Sequence, residues 1–256
     1  MRGLFVAGTD TGVGKTIVAA AICAALAARG ERVTAFKPVV TGTADEPGEW
    51  PPDHELLAAS ANTGQTASDV TPLTFAPPLS PHYAAELAGA AIAPDNLRAA
   101  TLDAAALAEA ATPAESAVAG GSPSSDSQAD GASPRHRVPP RSALICEGVG
   151  GLLVPLTPDY SVRDLAVDLT FPLVVVGRTG LGTINHTLLT VEAARAAGLT
   201  VTGIVMTPWP ANPKPIELSN RATVERLAGV TVSGLPPATP STLAAAGAAL
   251  PLDDWL

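Results

Sequence analysis

Lysine is rare in this 256-residue chain: of its 15 basic residues only Lys15, Lys37 and Lys214 are lysine, and the other 12 are arginine. Where arginine serves for generic positive charge, a retained lysine marks a position whose chemistry asks for a compact ammonium. Lys15 stands in G-T-D-T-G-V-G-K-T at positions 8 to 16, between the apolar run LFVA and an alanine-rich helical stretch. Strand, glycine loop and helix in that order are the setting of a phosphate loop. Small residues let successive N–H groups converge on phosphate oxygens, and the helix N-terminus adds its dipole. Lys15 can then reach the β and γ phosphates of a nucleotide, and the Thr16 hydroxyl can ligate Mg²⁺. The strict pattern would place its first glycine at position 9, which is Thr9, with Gly8 one residue early.

Lys37 ends a second apolar run in F-K-P-V-V-T-G-T, which puts it at the carboxyl edge of a sheet, on the rim that carries the phosphate loop. Phosphate chemistry also needs acids to hold a metal. Asp53 lies at a helix start after Pro51 and Pro52, where the competing reading is a helix N-cap. Glu147, in I-C-E-G-V-G-G, ends an apolar strand and matches the position of a metal-holding acid in phosphoryl transfer. Cys23 and Cys146, the two cysteines, sit in apolar runs and read as small buried hydrophobes. Lys214 reads as solvated.

Apolar runs at 4–7, 33–37, 143–146, 173–176, 201–206 and 230–235 alternate with helical stretches closed by Gly30, Gly198 and Gly229. Runs apolar on both faces are buried parallel strands, and glycine is the expected residue beyond a helix end. The expected architecture is therefore α/β, a phosphate-loop NTPase-like doubly wound, mainly parallel sheet flanked by helices. Residues 1–256 are expected to form one domain, with a disordered surface insertion at 112–141 that is rich in Ser, Pro, Gly and Asp. The chain is 46% hydrophobic and 15% charged with a net charge of −9, so it can bury a core and lacks the basic field that nucleic-acid or anionic-membrane binding requires. No run approaches the length of a membrane span or a signal sequence, which points to a soluble cytoplasmic protein.

Together, GTDTGVGKT, FKPVVTGT, PPLSPH at 77–82, EGVGGLLVPL and GLGTINHTLLT resemble the dethiobiotin synthetases. The stretches run in order over most of the chain outside the insertion. The resemblance implies an ATP-dependent ligase of biotin biosynthesis, a homodimer whose substrate site crosses the subunit interface. 7,8-Diaminopelargonic acid would take up CO₂ as a carbamate, which ATP phosphorylates before ring closure to dethiobiotin, ADP and phosphate. It further implies Lys15 and Lys37 as catalytic cations and Thr16, Asp53 and Glu147 as Mg²⁺ ligands. Nucleotide contacts would come from Gly12, Val13, Gly14, Lys15, Thr16 and Ile17, from Asp53, from Glu147, Gly148, Val149 and Gly150, and from Thr207, Pro208, Leu235, Pro236 and Pro237. Thr11, Lys37 and Thr41 would meet the diamine or its carbamate. Leu181, Gly182, Thr183 and Asn185, at a helix start, would receive the substrate carboxylate, and His186 in that first turn reads as a packing residue.

One departure concerns the base. Where relatives place an asparagine after the GIV strand, this chain has Thr207 and Pro208, and one hydroxyl offers less than an amide's paired donor and acceptor. Weaker base discrimination is expected, with other nucleoside triphosphates competing with ATP. The absence of N-K-x-D excludes a guanine reader of that type. A partitioning-type ATPase, working as a nucleotide-controlled dimer switch, is disfavoured by Asp10 where that loop carries lysine, and a glutamine-hydrolysing amidoligase by the remaining length.

Overall fold

In a computed structural model, residues 2–45, 48–110 and 141–256 are described. The expected insertion lies outside them except for its last residue, Arg141, whose carbonyl accepts the Arg32 N–H at 2.9 Å at the mouth of the sheet.

Six strands form one parallel sheet: β1 (Arg2–Gly8), β2 (Arg32–Phe36), β5 (Ser142–Gly151), β8 (Leu173–Gly177), β9 (Val201–Met206) and β10 (Val232–Gly234), in the spatial order β10-β9-β8-β1-β5-β2. Two small two-stranded pairs stand outside it, β3 (Val39–Thr41) with β4 (Leu73–Phe75) and β6 (Pro155–Thr157) with β7 (Tyr160–Ser161). The expected runs become the six strands, shortened at β10 to three residues. Alternation along each strand sends Phe5, Leu144, Cys146 and Val175 to one core and Leu4, Val6, Ile145 and Val174 to the other, as a sheet buried on both faces requires.

Helices cover both faces: α1 (Lys15–Ala28), α2 (Asp53–Ser60), α3 (Ala67–Val70), α4 (Pro81–Leu87), α5 (Pro94–Glu109), α6 (Val162–Leu169), α7 (Thr183–Ala196), α8 (Pro215–Ala228), α9 (Leu243–Ala248) and α10 (Leu252–Trp255). The alanines of α1 allow a close approach by α9, so close that a Cβ on Gly247 would lie 2.0 Å from the Ala21 carbonyl oxygen. Cys23 and Cys146 are both buried and unpaired, as expected. Among the described residues no helix is long and apolar enough to cross a membrane.

From β1 the chain leaves to β2 at one edge, returns to β5, and then builds β8, β9 and β10 on the other side. The strand order reverses around β1, and ligands of open α/β sheets bind in the crevice beyond the carboxyl ends there.

Candidate active site

The β1–α1 loop fills that crevice. Gly14 precedes α1 with φ +92°, a left-handed conformation that glycine adopts without cost, and no side chain caps the helix. With no acidic residue in the first turn either, the free N–H groups of α1 are open to an anion. Lys15 arches back over the loop and donates to the Asp10 carbonyl at 2.9 Å. The departure at Thr9 finds its reason here: a Cβ on Gly8 would lie 2.8 Å from Lys15 Cδ and Nζ, so the loop's early glycine makes room for that lysine.

Glu147 arrives from β5, the strand beside β1, and has no exposed surface. Its Oε1 accepts from Lys37 Nζ at 2.6 Å and from the Thr16 hydroxyl at 2.8 Å, while Oε2 is buried without a partner. Lys37, one residue beyond β2, also donates to Asp53 Oδ2 at 2.5 Å. Asp53 is the first residue of α2, after a Pro52 N-cap, and gives no side-chain cap bond; the N-cap reading of Asp53 is corrected by this bond to Lys37. Asp53, Lys37, Glu147 and Thr16 thus make one hydrogen-bonded chain drawn from α2, the end of β2, β5 and α1.

The electrostatics follow from that chain. Burial alone would pull the Lys37 ammonium down, but Glu147 and Asp53 outweigh it and hold Lys37 above the ordinary lysine value. Burial raises the Glu147 carboxyl, with Lys37 opposing. For Asp53 burial is outweighed by Lys37, and the carboxyl falls below its usual range. Lys15 is pulled down to about 8, chiefly by burial.

These groups face a cavity of about 350 Å³ that also collects Thr11, Gly12, Gly14, Ile17, Thr41, Val149 and Gly150. A second cavity of about 590 Å³ adjoins the loop and gathers Val13, Thr207, Pro208, Pro236 and Pro237. Two expected contacts line neither. Leu235 is fully buried beneath the outer cavity, and Gly148 is held by packing, since a Cβ there would lie 2.9 Å from Val162 Cγ1.

Leu181, Gly182, Thr183 and Asn185 do sit at a helix start, since Gly182 is the N-cap of α7 in a left-handed conformation without a side-chain cap. They line neither cavity of their own chain, and Leu181 is 93% exposed. His186 is exposed as well, so its expected packing role is not met within the chain. Lys214 is exposed at the start of α8, as expected.

Sequence reasoning missed Glu49, Trp50, Arg178, Thr179 and Gly180, which line the outer cavity. Arg178 donates to the Thr11 carbonyl at 3.0 Å and pairs with Asp10 at 3.4 Å, bracing the phosphate loop from the β8–α7 turn. Asn220 holds that turn by donating to the carbonyls of Thr179 and Gly180, both at 3.0 Å. Lone residues in loops carry no spacing signal; only the third dimension brings them to the site.

The donor set suits a hard cation. Two carboxylates and a hydroxyl converge, one carboxylate oxygen is orphaned, and no group of three or more His, Cys, Asp or Glu is assembled among the described residues. Such a sparse oxygen set fits Mg²⁺, which keeps waters and takes phosphate oxygens to complete its shell.

Residues 2–245 match the family described as an AAA domain. The chain is 38% identical over 233 residues to the ATP-dependent dethiobiotin synthetase BioD of Anaeromyxobacter sp. (strain Fw109-5), covering 90% of this chain and 86% of that protein. To the protein of the same name from Bacillus licheniformis it is 37% identical over 238 residues, covering 93% and 86%. A likeness in shape, with a TM-score of 0.49 at 8% identity over 96% of this chain and 90% of the other, is to Cyanthece apo McdA. By its extended similarity to the two named synthetases, the chain belongs to the dethiobiotin synthetase family.

Proposed function

We propose that the protein makes dethiobiotin from 7,8-diaminopelargonic acid, CO₂ and ATP, releasing ADP and phosphate. The observation that carries the reading is the placement of Lys37, clamped between Asp53 and Glu147, in the same cavity as Lys15, Thr16, Thr11 and Thr41. One amine of the diamine adds to CO₂ and loses a proton to give a carbamate. A carbamate oxygen attacks the γ-phosphorus of ATP and ADP leaves. The second amine then attacks the carbonyl carbon of the mixed anhydride, phosphate leaves, the attacking nitrogen gives up a proton to solvent, and the ureido ring closes.

Two anions, the carbamate and the triphosphate, must approach each other, and fixed positive groups lower that cost. Lys15 answers the triphosphate and Lys37 the carbamate. Lys37 stays protonated beside its carboxylates, so it acts as a cation that positions and stabilises, and the proton on nitrogen goes elsewhere. Thr11 and Thr41, at the same cavity, have hydroxyls suited to the diamine or carbamate. Thr16, Asp53 and Glu147 would hold Mg²⁺. When bound, the metal supplies charge neutralisation to the phosphate oxygens.

The uncapped start of α7 offers free N–H groups to the substrate's distant carboxylate. Because Leu181, Gly182, Thr183 and Asn185 line neither cavity of their own chain, the reading places them in a partner subunit's site within a homodimer. The chain is read as a single domain acting in the cytoplasm on small molecules.

Purified protein incubated with the diamine, bicarbonate, Mg²⁺ and ATP is expected to yield dethiobiotin by mass, with one ADP per product. Folded protein that turns over ATP without that product would end the reading.

A further inference from the structure

The two cavities beside the phosphate loop share a boundary. Gly12, Gly14 and Ile17 form it on the loop side and Trp50 on the other, and all four line both spaces. A nucleoside triphosphate with its phosphates in the inner cavity and its base in the outer one must pass its sugar through that boundary. Trp50 is held there because it is half-buried against the core under α1 and α2.

Its neighbour Glu49 lines the outer cavity only. A carboxylate beside the triphosphate would repel it, whereas one displaced toward the nucleoside side is clear of the phosphates. Glu49 makes no hydrogen bond or ion pair among the described residues, so its oxygens are open to a ligand. An ionised carboxylate only accepts hydrogen bonds, and the ribose diol is the part of a nucleotide that offers two hydroxyl donors at that depth. The outer cavity, where the base would lie, is lined by Val13, Ile17, Pro208, Pro236 and Pro237.

We propose that Glu49 and Trp50 form a ribose clamp, in which the Glu49 carboxylate accepts from the sugar hydroxyls and the Trp50 indole covers the sugar face. The enzyme thereby selects ribonucleotides over deoxyribonucleotides while reading the base weakly. The proposal rests on the nucleotide reading of the site given above, and names a specificity-determining pair within it.

Binding, without turnover, tests it. Affinities for ATP, 2′-deoxy-ATP, 3′-deoxy-ATP and inorganic tripolyphosphate are measured by calorimetry in Mg²⁺ buffer for the wild type, Glu49→Ala, Glu49→Gln, Trp50→Ala and Trp50→Phe, with melting curves to confirm folding. The wild type is expected to bind ATP about tenfold more tightly than at least one deoxy analogue, the scale of one charge-assisted hydrogen bond at a partly solvated site. Glu49→Ala brings ATP and the analogues to within about twofold of each other and leaves tripolyphosphate unweakened, because Glu49 lines only the nucleoside side. Glu49→Gln, which keeps an acceptor, falls between. Trp50→Ala weakens all three nucleotides together, and Trp50→Phe restores most of that loss.

A wild type that does not distinguish the analogues overturns the clamp, and so does discrimination that survives Glu49→Ala. Protein that binds neither ATP nor tripolyphosphate overturns the nucleotide reading itself, and the clamp with it.

Discussion

The Lys37 ammonium donates to Oε1 of Glu147 across 2.6 Å, on a carboxylate that has no exposed surface and whose other oxygen has no partner. Asp53 meets the same ammonium from the more open side. The buried glutamate is thus kept company by a cation fixed at the cavity wall, and this ties the stability of the site to its chemistry.

Lys37→Arg keeps the charge and changes its shape: a planar guanidinium cannot occupy the point where two carboxylates converge on one nitrogen. Turnover is expected to fall by about two orders of magnitude or more, as for loss of a group aimed at developing charge. Lys37→Met strands the buried Glu147 charge, and urea unfolding at pH 8 should show a loss of about 3 kcal/mol. The Glu147 carboxyl is raised, so the variant's deficit shrinks as pH falls and that carboxyl takes a proton. Unimpaired turnover in Lys37→Arg would remove Lys37 from the catalytic machinery.

Lys15, in its proposed role, should make nucleotide binding sensitive to alkali. Burial pulls its pKa down to about 8 in the free protein, whereas the triphosphate needs the ammonium form. Above pH 8 the lysine has lost its proton, and binding must take one up. ATP affinity is therefore flat below about pH 8 and falls above it, by at most tenfold per pH unit for one proton. The same shift acts oppositely on folding: between about 8 and the ordinary lysine value the unfolded chain holds the extra proton, so this group's contribution to stability rises with pH. Calorimetry in buffers of different ionisation heat should register the proton uptake at pH 9. Lys15→Arg, charged throughout, should bind more weakly overall and show no such break; a wild-type affinity level across pH 7 to 9.5 would refute the assignment.

Gly14 is required twice over. Its φ of +92° disfavours any side chain, and a Cβ there would meet Thr207 Cγ2 at 2.7 Å. Gly14→Ala is expected to cost about 2 kcal/mol in denaturant unfolding and to abolish measurable nucleotide binding. In a Thr207→Ser background, which removes the methyl, part of the stability loss returns and the backbone part remains. Equal losses in both backgrounds would show that the clash is not felt.

Much of this site was legible in the sequence because its parts travel in contiguous runs. The phosphate loop lies between β1 and α1, Lys37 lies just beyond β2, and Glu147 lies in the last half of β5; in each case a strongly apolar strand announces where the polar residue will emerge. The joining of Asp53 to Lys37 was not legible, since nothing in the spacing of α2 says that its first residue turns toward β2 and not toward its own backbone. The same holds for Arg178 and Asn220, whose partners lie 167 and about 40 residues away and involve carbonyls, which leave no trace in side-chain pattern. His186 shows the reverse failure. Its place in the first turn of a helix suggests packing, but α7 turns that face outward, and His186 is exposed among the described residues.

Under the proposed function the base lies in the outer cavity, and the lining there should set how well it can be told apart. Backbone N–H groups could read it, but those of Thr207, Trp209 and Leu235 are already given to the carbonyls of Gly177, Leu235 and Met206 at 3.0, 2.7 and 3.0 Å. Arg178 is engaged with the phosphate loop, and Val13, Ile17, Pro208, Pro236 and Pro237 are apolar. Thr207 and Thr179 bring hydroxyls to the lining, and a hydroxyl can turn to donate or accept, so it distinguishes little between an adenine edge and a cytosine or guanine edge. A site rejects a wrong partner strongly only when that partner leaves its buried polar groups unpaired. CTP, GTP and UTP should therefore each support product formation, with specificity constants within about tenfold of that for ATP. The check is competition at equal concentrations, with the nucleoside diphosphates separated and counted. Dominance of ADP by much more than tenfold would mean that a base-reading group other than these hydroxyls is at work.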